Sequence, residues 1–219
     1  IGLAAGLVLL EPHLSGAILI LAVGLCMMIV AGCNFTLLSA TGVIGAIGLY
    51  FFSMNTDYMR RRIEIWLHPE ADPRGAGYQT LQSLYAIGSG GLTGLGLGQS
   101  RQKYLYIPEP QNDFIFSVIC EELGFIGALL VIFLFVALLL RGIYVAWHAK
   151  DKFGSMLVVG VIVQVTLQAV LNIAVVTKTI PNTGISLPFF SYGGTSLLML
   201  LGEMGVVLSV SRQGGAEKV

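Results

Sequence analysis

Residues 75–124 read GAGYQTLQSLYAIGSGGLTGLGLGQSRQKYLYIPEPQNDFIFSVICEELG. This polar, glycine-rich stretch and its lead-in from Tyr58 to Arg74 hold half of the chain's 12 lysines and arginines, and nearly everything on either side is apolar. Of 219 residues, 55% are hydrophobic and 11% charged, whereas a soluble domain carries roughly 25% charged residues. Mean hydropathy is +0.83. Repeated apolar runs close to the ~20 residues that span hydrocarbon indicate an all-α polytopic membrane protein, with about five full transmembrane helices plus one truncated. The long loop between spans contains short helices. Net charge is zero, which gives no footing for a nucleic-acid partner.

Toward the amino terminus, Phe35–Met54 and Gly16–Ala31 are two spans joined by the short turn Gly32-Cys33-Asn34. Gly42, Gly45 and Gly48 are spaced for close helix–helix contact in lipid. Glu11-Pro12-His13-Leu14-Ser15 is a polar break. IGLAAGLVLL before it is too short to cross alone, so it reads as the tail of a truncated helix and the chain as a fragment. Arg60–Leu67 forms a short amphipathic helix with Trp66 at the interface, and Tyr78–Ile87 forms a second.

Toward the carboxy terminus, a fourth span runs from near Asp113 to Leu140, followed by a polar turn, Arg141 to Lys152, in which His148 is solvated. The fifth span is Phe153–Val176. Its Gln164, Gln168 and Asn172 fall at i, i+4 and i+8, on one helix face that must meet polar groups. A polar loop from Thr177 leads to the last span, which carries Glu203 and ends near Ser211. The whole reads as a single integral membrane domain, 1–219, with a long loop at 56–112 and a second at 177–188 on the same side. Lys and Arg number 7 on that side (60, 61, 62, 74, 101, 103, 178) and 5 on the other (141, 150, 152, 212, 218). That bias would place the long loop in the cytoplasm, but upstream helices can reverse it. The residues alone leave the orientation open.

Asp113 is the leading candidate for chemistry. An Asp just before a helix is commonly an N-cap. Its neighbours Arg101, Lys103, Glu109 and Asn112, at a membrane boundary, also suit a general base: partial desolvation raises a carboxylate toward that use, while nearby cations pull it back. Arg60, Arg61, Arg62, Arg74, Arg101, Lys103 and Lys178 on one membrane face suit a pyrophosphate headgroup, because guanidinium forks and lysine point charges both hold phosphate. Contact with anionic membrane lipid is the plainer alternative. Gly90, Gly91, Gly94, Gly96 and Gly98 follow no strand and precede no GK[ST], which argues against a nucleotide loop; they read as giving the loop the freedom of a lid. Glu121, Glu122 and Glu203 read as structural acids in need of partners. His13 and His68 stand alone beside prolines, without ligand spacing. Cys26, Cys33 and Cys120 form no disulfide framework or metal spacing and read as buried small apolar residues.

Several long segments together resemble one family. DPRGAGYQTLQSLYAIGSGGLTGLGLGQSRQKYLYIPEPQNDFIFSVICEELGFIG (72–127) is similar to the long extracellular loop of the shape, elongation, division and sporulation (SEDS) family. LPFFSYGGTS (187–196) resembles its carboxy-terminal signature, and EPHLSGA (11–17) sits where members have a PDLGTA-like turn. GLGQSRQKYLYIPEP (96–110) is closer to the FtsW and SpoVE branch than to RodA. His13 stands where many members have Asp, and Asn112 replaces the commoner Thr beside Asp113.

The resemblance implies a ten-helix fold of which this chain is helices five to ten, in the bacterial plasma membrane, with loops 56–112 and 177–188 extracytoplasmic. It implies a peptidoglycan glycosyltransferase that polymerises lipid II, a disaccharide-pentapeptide on undecaprenyl pyrophosphate, for division or sporulation. A class B penicillin-binding protein would crosslink the strands, alongside other divisome or elongasome proteins. Asp113 takes the place of the family's essential aspartate and would deprotonate the acceptor sugar's 4-hydroxyl. Arg60, Arg62, Arg101, Lys103 and Lys178 would stabilise the leaving pyrophosphate, with Glu109 and Asn112 in support. A divalent cation, magnesium or manganese, could share that task, held with Glu109. The missing half normally helps build the central cavity, so the fragment alone need not be active. Two rival functions use the same features: a flippase for the lipid-linked precursor, which needs no base, and a scaffold for the penicillin-binding protein.

Overall fold

The computed structural model describes residues 1–10, 14–55, 57–73, 75, 77–102 and 111–215. These are helical, with no strand among them: α1 (Gly2–Leu10), α2 (Leu14–Val30), α3 (Phe35–Asn55), α4 (Asp57–Leu67), α5 (Tyr78–Gly90), α6 (Ile115–Trp147), α7 (Lys152–Val176) and α8 (Gly194–Gly215), plus a 3₁₀ turn at Pro69–Ala71. By length and composition α6, α7 and α8 can each cross a membrane, and Ser15–Val30 and Phe35–Gly48 are shorter apolar helices. Leu130, Phe133 and Leu134 of α6 are exposed; water would penalise such a face, and lipid does not. The chain is an all-α polytopic membrane protein. The polar break at Glu11–His13 lies outside the described residues.

Local chemistry sets the helix ends. Gly32 takes φ +75, Gly32 N–H donates to Ile29 O and Cys33 N–H to Met28 O, the paired closure that ends a helix on a left-handed residue. Asn34 then caps α3, its Oδ1 accepting from Thr36 N–H at 3.3 Å. Asp151 caps α7 through Gly154 N–H at 3.1 Å. The polar turn expected over Arg141–Lys152 is shorter than that, because α6 runs on to Trp147. There Tyr144 stacks on His148 with ring centroids 4.2 Å apart, and the Arg141 guanidinium lies 5.1 Å from the Tyr144 ring. One-turn neighbours on a helix face reinforce each other in this way. His148 is exposed, as its place in the turn suggested.

The chain divides into two compact units. One comprises Ile1–Phe52, Val136–Leu167 and the chain from Gly194. Its core joins Val145 and Ala146 of α6, Val158 and Ile162 of α7 and Val207 of α8. Inside it Gln164 Nε2 donates to Glu203 Oε1 at 3.4 Å, which supplies the partner that an acid within a span requires. Of the three spaced glycines, an added Cβ would meet a neighbour only at Gly45, 3.6 Å from Leu21, while at Gly42 and Gly48 it would meet nothing among the described residues. Of the three free cysteines, only Cys120 is buried as expected of a small apolar residue; Cys33 is exposed and Cys26 half-buried.

The other unit comprises Ser53–Phe135 and Gln168–Gly193. Phe114, Glu121, Asn172 and Leu187 are among its most deeply buried side chains. Ser83 of α5 donates to the Val176 carbonyl at the end of α7 at 3.1 Å. The described candidates Arg60, Arg62, Arg101, Asn112, Asp113 and Lys178 lie in this unit.

Candidate functional site

The glycine loop and the start of α6 form one knitted structure. Gly124 adopts φ 67 and ψ −165, which breaks α6 ten residues in. A continuous helix would pair Phe125 N–H with Glu121 O and Ile126 N–H with Glu122 O. Instead Phe125 N–H donates to Gly91 O and Ile126 N–H to Leu92 O, while Glu121 O accepts from Leu95 N–H and Glu122 O from Gly96 N–H. The loop thus satisfies all four backbone groups that the break releases, as buried polar groups require. A Cβ at Gly90 would collide with Cys120 O, and one at Gly94 with Glu122 O.

The two carboxylates complete the knit. Glu121, almost wholly buried, accepts from the Ser100 hydroxyl, from Arg101 N–H at 3.1 Å and from Gln102 N–H at 3.4 Å. Glu122 accepts from Gly98 N–H at 2.9 Å and Ser100 N–H at 3.3 Å. The lid expected from the glycines is therefore a fixed strap across residues 91–102. Gly90 and Gly94 serve close backbone approach rather than mobility, and the two acids find their partners in backbone N–H groups.

Downstream, residues 111–114 form a turn and α6 begins at Ile115, two residues after Asp113. Three successive carbonyls of this turn are held by groups far away in the chain. Gln111 O accepts from Tyr192 N–H at 2.7 Å, Asn112 O from the Ser191 hydroxyl at 2.6 Å, and Asp113 O from Asn172 Nδ2 at 2.8 Å. Asn172 is fully buried and its amide nitrogen also donates to Ile185 O at 2.7 Å. The Asp113 side chain is half-buried. Its Oδ2 lies beside Gly184, whose φ is +69; a Cβ there would stand 3.6 Å from that oxygen.

The described basic candidates are distributed around the same unit. Arg62 of α4 donates from Nη1 to Asn182 O at 2.8 Å and lines a pocket with Trp66, Gln79, Thr80 and Asn182. Asn182 Oδ1 accepts from Gly184 N–H at 3.1 Å. The segment 182–184 thus carries the Arg62 contact at one end and the Asp113 carboxylate at the other. Two residues extend no more than about 7 Å. Lys178 ends α7 in the left-handed region at φ 58, and its carbonyl accepts from Trp66 Nε1 at 2.9 Å. Arg60 and Arg61 are exposed on α4, and Arg101 is exposed on the strap. Lys103, Glu109 and Arg74 lie outside the described residues. Among those described, no three His, Cys, Asp or Glu side chains converge as a metal cage, so they offer a divalent cation no complete site of their own.

The amide face of α7 was legible in the chain but its targets were not, Ser191 carried no signal of its own, and Trp66 was expected at the interface rather than on the Lys178 carbonyl. The amides at 164, 168 and 172 were a usable signal, because an amide facing apolar surroundings must find a partner. Nothing in the spacing identified that partner as the backbone of Asp113.

The family model FtsW/RodA/SpoVE, described as cell cycle protein, matches residues 1–215. Stage V sporulation protein E of Bacillus subtilis is 47% identical over 206 residues, covering 94% of this chain and 56% of the relative. A Trichlorobacter lovleyi protein named probable peptidoglycan glycosyltransferase FtsW is 42% identical, covering 94% of this chain and 54% of its own length. A solved peptidoglycan synthase complex, described as coordinating polymerization and crosslinking, contains a chain that superimposes with a TM-score of 0.73 at 30% identity. That match covers 97% of this chain and 59% of the other. The chain spans about half the length of the curated relatives it matches.

Proposed function

The chain belongs to the FtsW/RodA/SpoVE family of cell cycle proteins, and on that premise we propose that it forms part of a peptidoglycan glycosyltransferase polymerising lipid II, with Asp113 as general base. The observation that carries this reading is the Asp113 turn. Its backbone is held by three donors from outside the turn, while its half-buried carboxylate lies beside a glycine that leaves room next to it. A base must be held in place and yet be reachable.

In this mechanism Asp113 takes the proton of the acceptor sugar's 4-hydroxyl as that oxygen attacks the donor's anomeric carbon. The bond to undecaprenyl pyrophosphate breaks, and the leaving group departs with its negative charge. Among the described cations Arg62 is the one whose pocket shares the 182–184 segment with Asp113 and would meet that charge; Arg60, Arg101, Lys103 and Lys178 would add to the positive field. A positioned base supplies roughly 10²–10⁴-fold in rate. Glu109 and Asn112 would support the aspartate, and Glu109 would be the residue to hold any magnesium or manganese ion sharing that charge, since the described residues offer none a complete site. Loops 56–112 and 177–188 are extracytoplasmic in this reading, which puts the site on the face where glycan strands grow. A class B penicillin-binding protein is the crosslinking partner, supported by the likeness to a complex that couples polymerization and crosslinking.

The test is polymerisation of labelled lipid II by the full-length protein with its cognate partner, comparing wild type with Asp113→Asn. The substitution keeps size and removes the base. Polymer from wild type and none from an equally stable variant is the expected result. Equal polymer from both would overturn the role of Asp113. No polymer from either intact complex would favour a flippase or scaffold.

A further inference from the structure

We propose that Ser191 and Asn172 are positioning residues for Asp113, aiming its carboxylate by pinning the peptide planes on both sides of its Cα. The inference rests on the reading of Asp113 as the general base. Each peptide unit is rigid and planar, so a residue's side-chain direction is set by the orientation of its two flanking planes. The plane before Asp113 carries the Asn112 carbonyl, which accepts from Ser191 Oγ at 2.6 Å. The plane after it carries the Asp113 carbonyl, which accepts from Asn172 Nδ2 at 2.8 Å. Fixing both fixes φ and ψ of Asp113, and with them the direction of its Cα–Cβ bond.

Neither donor is free to look elsewhere. The Ser191 hydroxyl has one proton, and its oxygen is already engaged as acceptor from Leu187 N–H at 2.7 Å, so that proton goes to Asn112 O. Asn172 uses both hydrogens of its amide nitrogen, on Asp113 O and Ile185 O. Only the nitrogen end can serve two carbonyls, which fixes the orientation of the amide. Its Oδ1 has no partner among the described residues, so the buried side chain is committed to these two donations. The donors come from 79 and 59 residues away, and neither bond belongs to a helix ladder. A turn needing only closure could be capped locally.

The test uses the full-length protein in complex with its crosslinking partner and labelled lipid II as substrate, with kcat, KM and melting temperature read for Ser191→Ala, Ser191→Thr, Asn172→Ala and Asp113→Asn. The expected result is a fall in kcat of about 10- to 100-fold for Ser191→Ala and Asn172→Ala, the scale of a misplaced catalytic group. KM should stay within about twofold and melting be retained, with Thr at 191 restoring most of the rate because it keeps the hydroxyl. A merely structural role would lower the melting temperature and the amount of active protein, leaving kcat per folded molecule unchanged. Wild-type kcat in Ser191→Ala, or a Thr variant as slow as Ala, overturns the inference even where Asp113→Asn is inactive. Should Asn172→Ala fail to fold, the Ser191 pair decides. Full activity in Asp113→Asn overturns the general base itself, a separate outcome.

Discussion

The backbone of Gly94 lies against the carbonyl oxygen of Glu122, so close that a Cβ at Gly94 would fall well inside van der Waals contact with it. Gly94 and Gly98 share φ +79, but a Cβ at Gly98 would meet nothing among the described residues. Gly98→Ala should therefore cost only the left-handed strain, roughly 1–2 kcal/mol. Gly94→Ala adds overpacking against backbone, roughly 1–3 kcal/mol more. Thermal unfolding in detergent should rank them in that order, and equal shifts would argue against the knit between strap and helix break.

Glu121→Gln exchanges a carboxylate oxygen for an N–H₂ donor in a buried site where a hydroxyl and two backbone N–H groups point at it. A buried group left unsatisfied costs about 1–3 kcal/mol. Hydrogen exchange followed by mass spectrometry should show faster exchange confined to residues 100–102. Unchanged exchange there would mean that the carboxylate does not hold the strap.

Lys178 occupies a left-handed position that favours glycine. Lys178→Gly is expected to raise stability by up to about 1 kcal/mol, the relief of strain exceeding the entropy added to the unfolded chain. The same variant removes one cation from the proposed pyrophosphate field. Higher melting temperature with slower polymerisation is the expected pair of results; a lower melting temperature would contradict the strain.

Gln164→Leu should destabilise by about 1–3 kcal/mol, because it strips Glu203 of its hydrogen bond inside a span. Adding Glu203→Leu should recover part of the loss, since both partners are then apolar. Additive losses in a double-mutant cycle would show that the two side chains are not coupled.

Arg62→Lys keeps the charge but loses the planar fork, so the bond to Asn182 O and a second donor to phosphate are not both retained. Polymerisation should fall roughly 10-fold or more, the equivalent of one charge-assisted hydrogen bond of about 1.5–3 kcal/mol. An unaltered rate would remove Arg62 from the pyrophosphate site.

Much of the fold was legible in the chain itself. Apolar runs of bilayer length located the helices, three of which are long and apolar enough to cross a membrane among the described residues, the short Gly32-Asn34 turn separated two of them, and the mix of basic and apolar residues marked α4. These are properties of neighbouring residues, and a hydrophobic run or a capping side chain acts over one or two turns. The longer reach of α6 to Trp147 was missed because Arg141 reads as a turn residue, whereas in the helix its guanidinium lies by the Tyr144 ring. The strap was misread as a lid for a related reason: a glycine permits either mobility or close approach, and only the partner backbone decides which.

By itself the sequence determined that this is a helical membrane protein whose polar stretch carries an aspartate worth testing, because periodicity, composition and motif are written in adjacent residues. The tertiary structure alone decided what holds that aspartate. Ser191, Tyr192 and Asn172 reach the 111–113 carbonyls from 59 to 81 residues away, and hydrogen bonds between such distant segments leave no periodic trace in the chain, since any residue with a donor can make them once folding brings it there.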